Sequence, residues 1–187
     1  STTNRNLEMT QARISTGYRV STASDNAAYW SIATTMRSDR SSLSVVQDAL
    51  GLGAGKVDTA YSALEKTIET VNLIKDKLVA STGAAASDKA KLQTEITALQ
   101  SQLKMGADGA TFSGANWLSV DTTTGHATAG VHDTTKIVSA FTRNAAGTIA
   151  LKTIDIDVQG VKLYEAFATA TAVQKGILDG LRLGTSG

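Results

Sequence analysis

LSVVQDALGLGAGKVDTAYSALEKTIETVNLIKDKL, residues 43–78, carries an aliphatic side chain at every seventh position: Leu43, Leu50, Val57, Leu64, Val71 and Leu78. The companion positions in the same repeats are Val46, Gly53, Ala60, Thr67 and Ile74. A strict seven-residue apolar repeat lets two helices keep one stripe facing each other over many turns, so the stretch reads as a coiled-coil seam. At the rise of an α-helix its span of about 40 residues is roughly 60 Å long. One large and one small residue per repeat allows a partner helix to approach closely.

Working outward, Gly83 and the small residues after it break this helix, and Ser87 can cap a second one with Asp88 in its first turn. Leu92, Ile96, Leu99 and Leu103 form the apolar face of that second helix, which ends near Met105. The short connection implies an antiparallel hairpin. Upstream, residues 1–41 read as two short helices around an irregular segment. Leu7, Gln11 and Ile14 share one face, and Gly17 suits a helix end. Ser24 or Asp25 can cap the next helix, on which Tyr29, Ile32, Ala33 and Met36 make an apolar stripe.

From about residue 106 the character changes: Gly and Thr become frequent and β-branched residues cluster. Residues 136–143 and 148–158 read as strands joined by the turn Asn144-Ala145-Ala146-Gly147. Ile154, Ile156 and Val158 alternate with Asp155 and Asp157, as a strand with one buried face would. The tail, 163–183, has room for a helix that Gly176 and Gly180 weaken. The expected fold is mainly α with a smaller β part (α+β): long antiparallel heptad helices forming a rod-like stem, residues 1–118, plus a small β-rich outer domain, residues 119–187.

Composition narrows the function classes. Charged residues make up 19% of the 187 and aromatics 5%, with Ala, Ser, Thr, Gln and Gly filling the gap. Small uncharged side chains suit closely packed helices and subunits buried on several sides. The net charge is +1 and no basic face is clustered, which argues against nucleic acid. The basic clusters at Arg37, Arg40, Lys75 and Lys77 are each interrupted by an Asp and read as solvated helix surface. Without Cys there are no disulfides, thiolate metal sites or Cys nucleophiles. Without Pro, long uninterrupted helices are favoured and refolding has no slow isomerisation step. No apolar run approaches the roughly 20 residues that cross a bilayer, so membrane insertion is not expected. The polar start shows no cleavable signal.

Catalytic and cofactor patterns fail on inspection. Gly51-Leu52-Gly53-Ala54-Gly55-Lys56 superficially resembles a phosphate loop, but position 50 is Leu and position 57 is Val, and position 56 is Lys where a dinucleotide fingerprint needs Gly. These glycines lie inside the heptad run and read as close-packing positions. His126 and His132 stand six apart, which is not a helical ligand spacing, and are expected to be solvent-exposed without a metal. No nucleophile elbow or Ser-x-x-Lys pattern is present. Neither an enzyme nor a cofactor is expected.

The segment RISTGYRVSTASDNAA, residues 13–28, resembles the amino-terminal signature of bacterial flagellins: R-[LI]-S-[ST]-G, then R-[IV], a small-residue stretch, and D-[DN]-A-A. Phe112-Ser113-Gly114 with Trp117-Leu118 is similar to the element that follows the second flagellin helix, and the wording of residues 25–33 is especially like rhizobial-type alphaproteobacterial flagellins. The clear resemblance covers about residues 6–118. It implies a secreted, extracellular structural subunit of the flagellar filament, exported unfolded through the flagellar type III apparatus and polymerised under the cap for motility. Its implied partners are other flagellin copies, the filament cap, hook-filament junction proteins and an export chaperone. It implies a subunit-contact role in a turn-and-spoke element for Arg13, Gly17, Arg19, Asp25 and Asn26. Flagellins carry an inner-tube helix before this region and a carboxy-terminal helical region after it, so the resemblance implies a chain truncated at both ends. Flagellins detected by the vertebrate Toll-like receptor have an Arg-rich patch where residues 71–80 here hold lysines and no arginine, which puts innate immune receptor binding in doubt. Another secreted coiled-coil protein, such as a type III tip protein or an adhesin stalk, would share the heptads and low charge but has no reason to carry the 13–28 pattern.

Overall fold

In the computed structural model, residues 2–20, 26–123, 125–128, 131–166 and 176–179 are described. The elements run α1 (Thr2–Thr16), α2 (Ala27–Ser81), α3 (Ala86–Asp108), β1 (Thr111–Phe112), β2 (Ala115–Asn116), β3 (Ser119–Val120), β4 (Thr135–Arg143), β5 (Ile149–Ile156) and β6 (Tyr164–Glu165). Mainly helical with a small β part, this is the expected class. The chain divides into two compact units, Ser1–Asp48 with Ala140–Ala150 and Ala49–Ser139 with Leu151–Gly187.

In the first unit α1 ends as expected. Gly17 adopts φ +70°, and its N–H donates to the Arg13 carbonyl at 2.9 Å, a left-handed cap open to glycine without steric penalty. The expected short second helix is instead the start of α2, which continues without interruption through the heptad stretch for 55 residues. Neither Pro nor a capping turn separates the two parts, so nothing stops propagation. Asn26 caps it, its Oδ1 accepting the Tyr29 N–H at 3.1 Å; Ser24 and Asp25 lie outside the described residues. Tyr29, Ile32 and Met36, the expected apolar stripe, are exposed in this chain, as are Leu7 and Ile14. The tip of the β4–β5 hairpin belongs to this unit, and Arg143 Nε and Nη2 donate to Asp39 Oδ1 at 2.9 and 2.6 Å. The turn follows expectation: Asn144 Oδ1 accepts the Thr148 N–H at 2.8 Å and Gly147 takes φ +82°.

In the second unit α2 and α3 form the antiparallel hairpin. Gly83 turns the chain at φ +78°, and Lys77 meets Glu95 across the pair at 2.6 Å. Ala85, not Ser87, is the N-cap of α3, with no side-chain bond; its carbonyl takes the Asp88 and Lys89 N–H groups. Ser87 lies two positions past the cap, already inside the helix. Ile96 and Leu103 are buried and Leu92 and Leu99 half-buried, the face the pattern indicated.

Within this chain the two heptad rows of α2 are covered unequally. The companion row is the buried one: Val46, Gly53, Ala60 and Thr67, with Ile74 half-buried. Of the aliphatic row, Leu50 and Leu64 are half-buried, whereas Leu43, Val57, Val71 and Leu78 are exposed. The small row faces the rest of the chain because side chains from elsewhere land directly on the α2 backbone. A Cβ at Gly53 would stand 2.5 Å from Ile137 Cγ2, and one at Gly55 2.6 Å from Phe112 Cζ.

Past α3 the β elements are short. β1 and β2 pair antiparallel around Ser113 and Gly114, both at positive φ (48° and 73°), as a tight hairpin turn of the primed kind requires. β3 and β6 pair in parallel, Ser119 opposite Tyr164 and Val120 opposite Glu165. Tyr164–Glu165 is therefore strand, not the start of the expected tail helix. Residues 176–179 form a turn, and the remainder of 167–183 lies outside the described residues. β5 has no buried face along its length: Ile154 is exposed, Ile156 half-buried, and only Val158 beyond its end is fully buried. A two-stranded hairpin has no second layer to cover it.

Two small cores hold this unit. Ala107, Ala110, Leu118 and Leu163 pack with Ala63 and Leu64 of α2, while Ala60, Trp117 and Val158 pack with Ile137, Ile156 and Val161. The Leu118 carbonyl accepts the N–H groups of Leu163 and Tyr164 at 2.8 and 2.9 Å. Segments distant in sequence thus meet at the end of α3.

Candidate assembly surfaces

The signature segment is organised by a residue that sequence reasoning had left on the solvated surface. Arg37, half-buried, lays its guanidinium 3.9 Å from the centre of the Tyr18 ring and donates from Nη2 to the Val20 carbonyl at 3.0 Å. One cation therefore ties the exit from α1 to the side of α2 by a cation–π contact and a hydrogen bond. The partner carbonyl lies 17 residues upstream, beyond any local pattern. Arg13, Arg19 and Asn26 are brought together, with Val20 and Tyr29, around a concavity of about 380 Å³. Gly17 stands at the end of α1 with nothing within 4 Å of a Cβ built on it. Asp25 lies outside the described residues.

On the second unit, a groove of about 550 Å³ runs between α2 and α3. Thr67 and Thr70 from α2 and Leu103 and Met105 from α3 are among the residues lining it. The two threonine hydroxyls donate back to the Ala63 and Lys66 carbonyls, each at 2.9 Å. Internally satisfied in this way, the hydroxyls ask for no further partner, and the two residues behave as small apolar side chains. Further along α2, Val71 and Leu78 are 39% and 54% exposed.

One residue behind this region had no sequence signal in the expectations. Asn116 Nδ2 donates to the Ala107 and Asp108 carbonyls at 2.8 and 3.1 Å, and its Oδ1 accepts from the Leu118 and Ser119 N–H groups at 2.9 and 3.0 Å. It adds a second donor to carbonyls at the end of α3, that of Ala107 also accepting the Ala110 N–H at 3.2 Å, and fixes the departure of Trp117 and Leu118 into the core.

The patterns set aside on chemical grounds are explained by packing. Gly51, Gly53 and Gly55 lie inside α2, so no phosphate loop exists there. Asp155 pairs with Lys136 at 3.1 Å, and Asp157 accepts the Gln159 N–H. His126 and His132 are not independent exposed side chains, since their rings lie 4.6 Å apart and both are partly covered. Among the described residues no group of three or more His, Cys, Asp or Glu could hold a metal ion, and no helix is long and apolar enough to cross a membrane.

A helix folded back on a shorter one, with small β elements packed by the end of α3 and four of the six aliphatic-row residues left in solvent, defines a helical-stem protein. The chain belongs to the bacterial flagellin family: residues 1–123 match the bacterial flagellin N-terminal helical region. It is similar to Flagellin D of Rhizobium meliloti (strain 1021), 52% identical over 175 residues, which cover 93% of this chain and 40% of that protein. Flagellin A of the same strain is 56% identical over 173 residues, 92% of this chain and 41% of that protein. A flagellin of Brucella melitensis biotype 1 is 56% identical over 121 residues, 65% of this chain and 43% of that protein. The chain spans about two fifths of the length of the first two relatives. With 175 of 187 residues matched, the likeness extends well past residue 118.

Proposed function

We propose that this chain is the stem-bearing part of a flagellar filament subunit, a structural protein without catalytic activity that works by packing against further helices and further copies. The observation that carries this reading is the aliphatic row of α2. Leu43, Val57, Val71 and Leu78 recur at the heptad interval yet remain exposed, while the small-residue row beside them is covered. A helix with two apolar rows needs two partners, and this chain supplies one. In flagellins the second is a carboxy-terminal helix, and neighbouring subunits complete the burial. The six-residue row, Leu43, Leu50, Val57, Leu64, Val71 and Leu78, is accordingly read as a helix-packing seam.

Arg13, Gly17, Arg19, Asp25 and Asn26 are read as the subunit-contact element, with Arg37 holding it in place. The stem is read as residues 1–118 and the outer domain as residues 119–187. Filament cap, hook-filament junction proteins and export chaperone are the finer partners, and the outside of the cell is the working location. A type III tip protein or adhesin stalk is not favoured, because it gives no reason for the flagellin match. The test is Leu78→Asp in the full-length protein. Loss of filaments by electron microscopy, with the subunit still exported and helical, is expected; filaments of normal length would overturn the reading.

A further inference from the structure

The cations of this chain are sorted by type. Arg5, Arg13, Arg19, Arg37, Arg40 and Arg143 serve the first unit, which holds no lysine, whereas every lysine lies in the second. An arginine presents a flat fork of donors that takes a carboxylate with two bonds at once and is more weakly hydrated than an ammonium. It therefore suits ion pairs formed between surfaces. Two of these arginines already have partners inside the chain: Arg37 on the Tyr18 ring and the Val20 carbonyl, and Arg143 on Asp39. Arg13 and Arg19 are exposed and share the concavity of about 380 Å³, and among the described residues no carboxylate pairs with either.

The opposite charge is laid out on the second unit. Asp58, Glu65, Glu69 and Asp76 follow one another along α2 at intervals of seven, four and seven residues, which sets all four on one helix face. All are exposed, and Lys56, Lys66, Lys75 and Lys77 stand in other rows of the helix. Glu65 is engaged by the Tyr61 hydroxyl, whereas Asp58, Glu69 and Asp76 enter no ion pair among the described residues. Glu69 and Asp76 stand two turns apart, about 10 Å along the helix. Like charges repeated along one face repel each other, a cost that cations arriving from outside relieve.

We propose that Arg13 and Arg19 of one copy of this chain grip Glu69 and Asp76 of a second copy. The inference rests on the filament reading above and names the two faces that meet. Patches of opposite charge carried at different places on one chain make a heterologous contact. Repeated without closure, such a contact builds an open filament rather than a dimer. The occupant of the concavity is a second copy because the carboxylates that match its arginines stand exposed on this same chain, in a row that holds no lysine. Exposed ion pairs add little affinity. Their part is to decide which faces meet, since like charges brought together there cost more than the correct pair gains.

The test is filament growth by the purified full-length subunit, followed by light scattering and electron microscopy, with circular dichroism as the check on folding. Arg13→Glu with Arg19→Glu should abolish growth, and Glu69→Arg with Asp76→Arg should do the same, each with helix content unchanged. The subunit carrying all four substitutions has opposite charges across the contact again and should regain filaments. Growth of either reversed pair at the unmodified rate, or a folded fourfold variant that stays inert, would overturn the contact. If the reversal at Arg13 and Arg19 disturbs folding, Arg13→Gln with Arg19→Gln takes its place and should still slow growth; an unchanged rate would overturn the contact equally. Filaments from the unmodified subunit together with normal growth of both reversed pairs remove this contact and leave the filament reading standing. No filaments from the unmodified subunit removes both.

Discussion

Lys162 Nζ lies 2.9 Å from Glu165 Oε2, and neither side chain reaches solvent. The carboxylate is completed by Thr122, whose N–H donates to Oε1 at 2.8 Å and whose hydroxyl donates to Oε2 at 2.5 Å. The Glu165 N–H in turn donates to Asp179 Oδ2 at 2.8 Å. A polar network therefore sits where β3 and β6 pair, and it fixes their register through three separate parts of the chain.

Breaking one side of this pair should be severe. Glu165→Gln leaves the Lys162 ammonium without its carboxylate in a dry site, which typically costs about 3–5 kcal/mol. Thr122→Val should cost about 1–3 kcal/mol, because it strips one hydrogen bond from a carboxylate that keeps its cation. Urea unfolding measures both, and equal losses would contradict the ranking.

The same carboxylate gives a pH dependence. Burial pushes Glu165 up, but the hydrogen bonds from Thr122 and Lys162 outweigh it and hold the group below its ordinary 4.5. A depressed carboxylate contributes stability that is complete above the unfolded value and is lost as pH falls through the folded one. Stability from this group should thus be level above about pH 4.5 and decline below it, with the Glu165→Gln variant lacking that part of the decline. Melts at successive pH values check it.

Three glycines in one helix should respond in different directions. Gly51→Ala meets nothing within 4 Å and should stabilise by roughly 0.4–1 kcal/mol through reduced freedom of the unfolded chain. Gly53→Ala drives a methyl into the branched Ile137 side chain, so overpacking of about 1–3 kcal/mol should outweigh the helix gain. Gly55→Ala meets the tip of the Phe112 ring, which is partly exposed and can swing aside, so its effect should fall between them. Thermal melts of the three variants give the order directly.

Asn116→Ala removes the clamp at the end of α3 and should cost about 1–3 kcal/mol, because the Leu118 and Ser119 N–H groups lose their acceptor and two carbonyls lose a donor. Asn116→Asp retains the acceptor toward Leu118 and Ser119 but puts a negative charge at a helix C-terminus. It should not restore stability. Full recovery with Asp would show that only the acceptor matters.

Leu64 and Leu78 occupy the same heptad row but should separate on mutation. Leu64 packs against the core formed by Ala107, Ala110, Leu118 and Leu163, so Leu64→Ala should cost about 2–3 kcal/mol in this chain. Leu78 is exposed, so Leu78→Ala should stay within about 0.5 kcal/mol here while impairing filament formation by the full-length protein. Glu65→Ala, exposed, should do neither.

Helix content and the hairpin of α2 and α3 were legible because both rest on local, periodic information: aliphatic residues every seventh position, Gly83 at the turn, and no proline anywhere. The signature over residues 13–28 was equally legible, since it is a linear string matched in order. Asn144 to Gly147 announced its turn because the geometry lies in the residues themselves. Which heptad row would be covered could not be read, because that depends on Ile137 arriving from far along the chain onto Gly53. The roles of Arg37, Asn116 and the Lys162–Glu165 pair were hidden for the same reason. Each acts through partners that become neighbours only when the chain is folded, and a charged residue destined for the interior looks in sequence like any other on the surface. Periodicity, capping and motif order thus determined the elements and the family. Only tertiary packing decided which faces are spent inside this chain and which remain open, because burial is a property of the pair of surfaces that meet and not of either one alone.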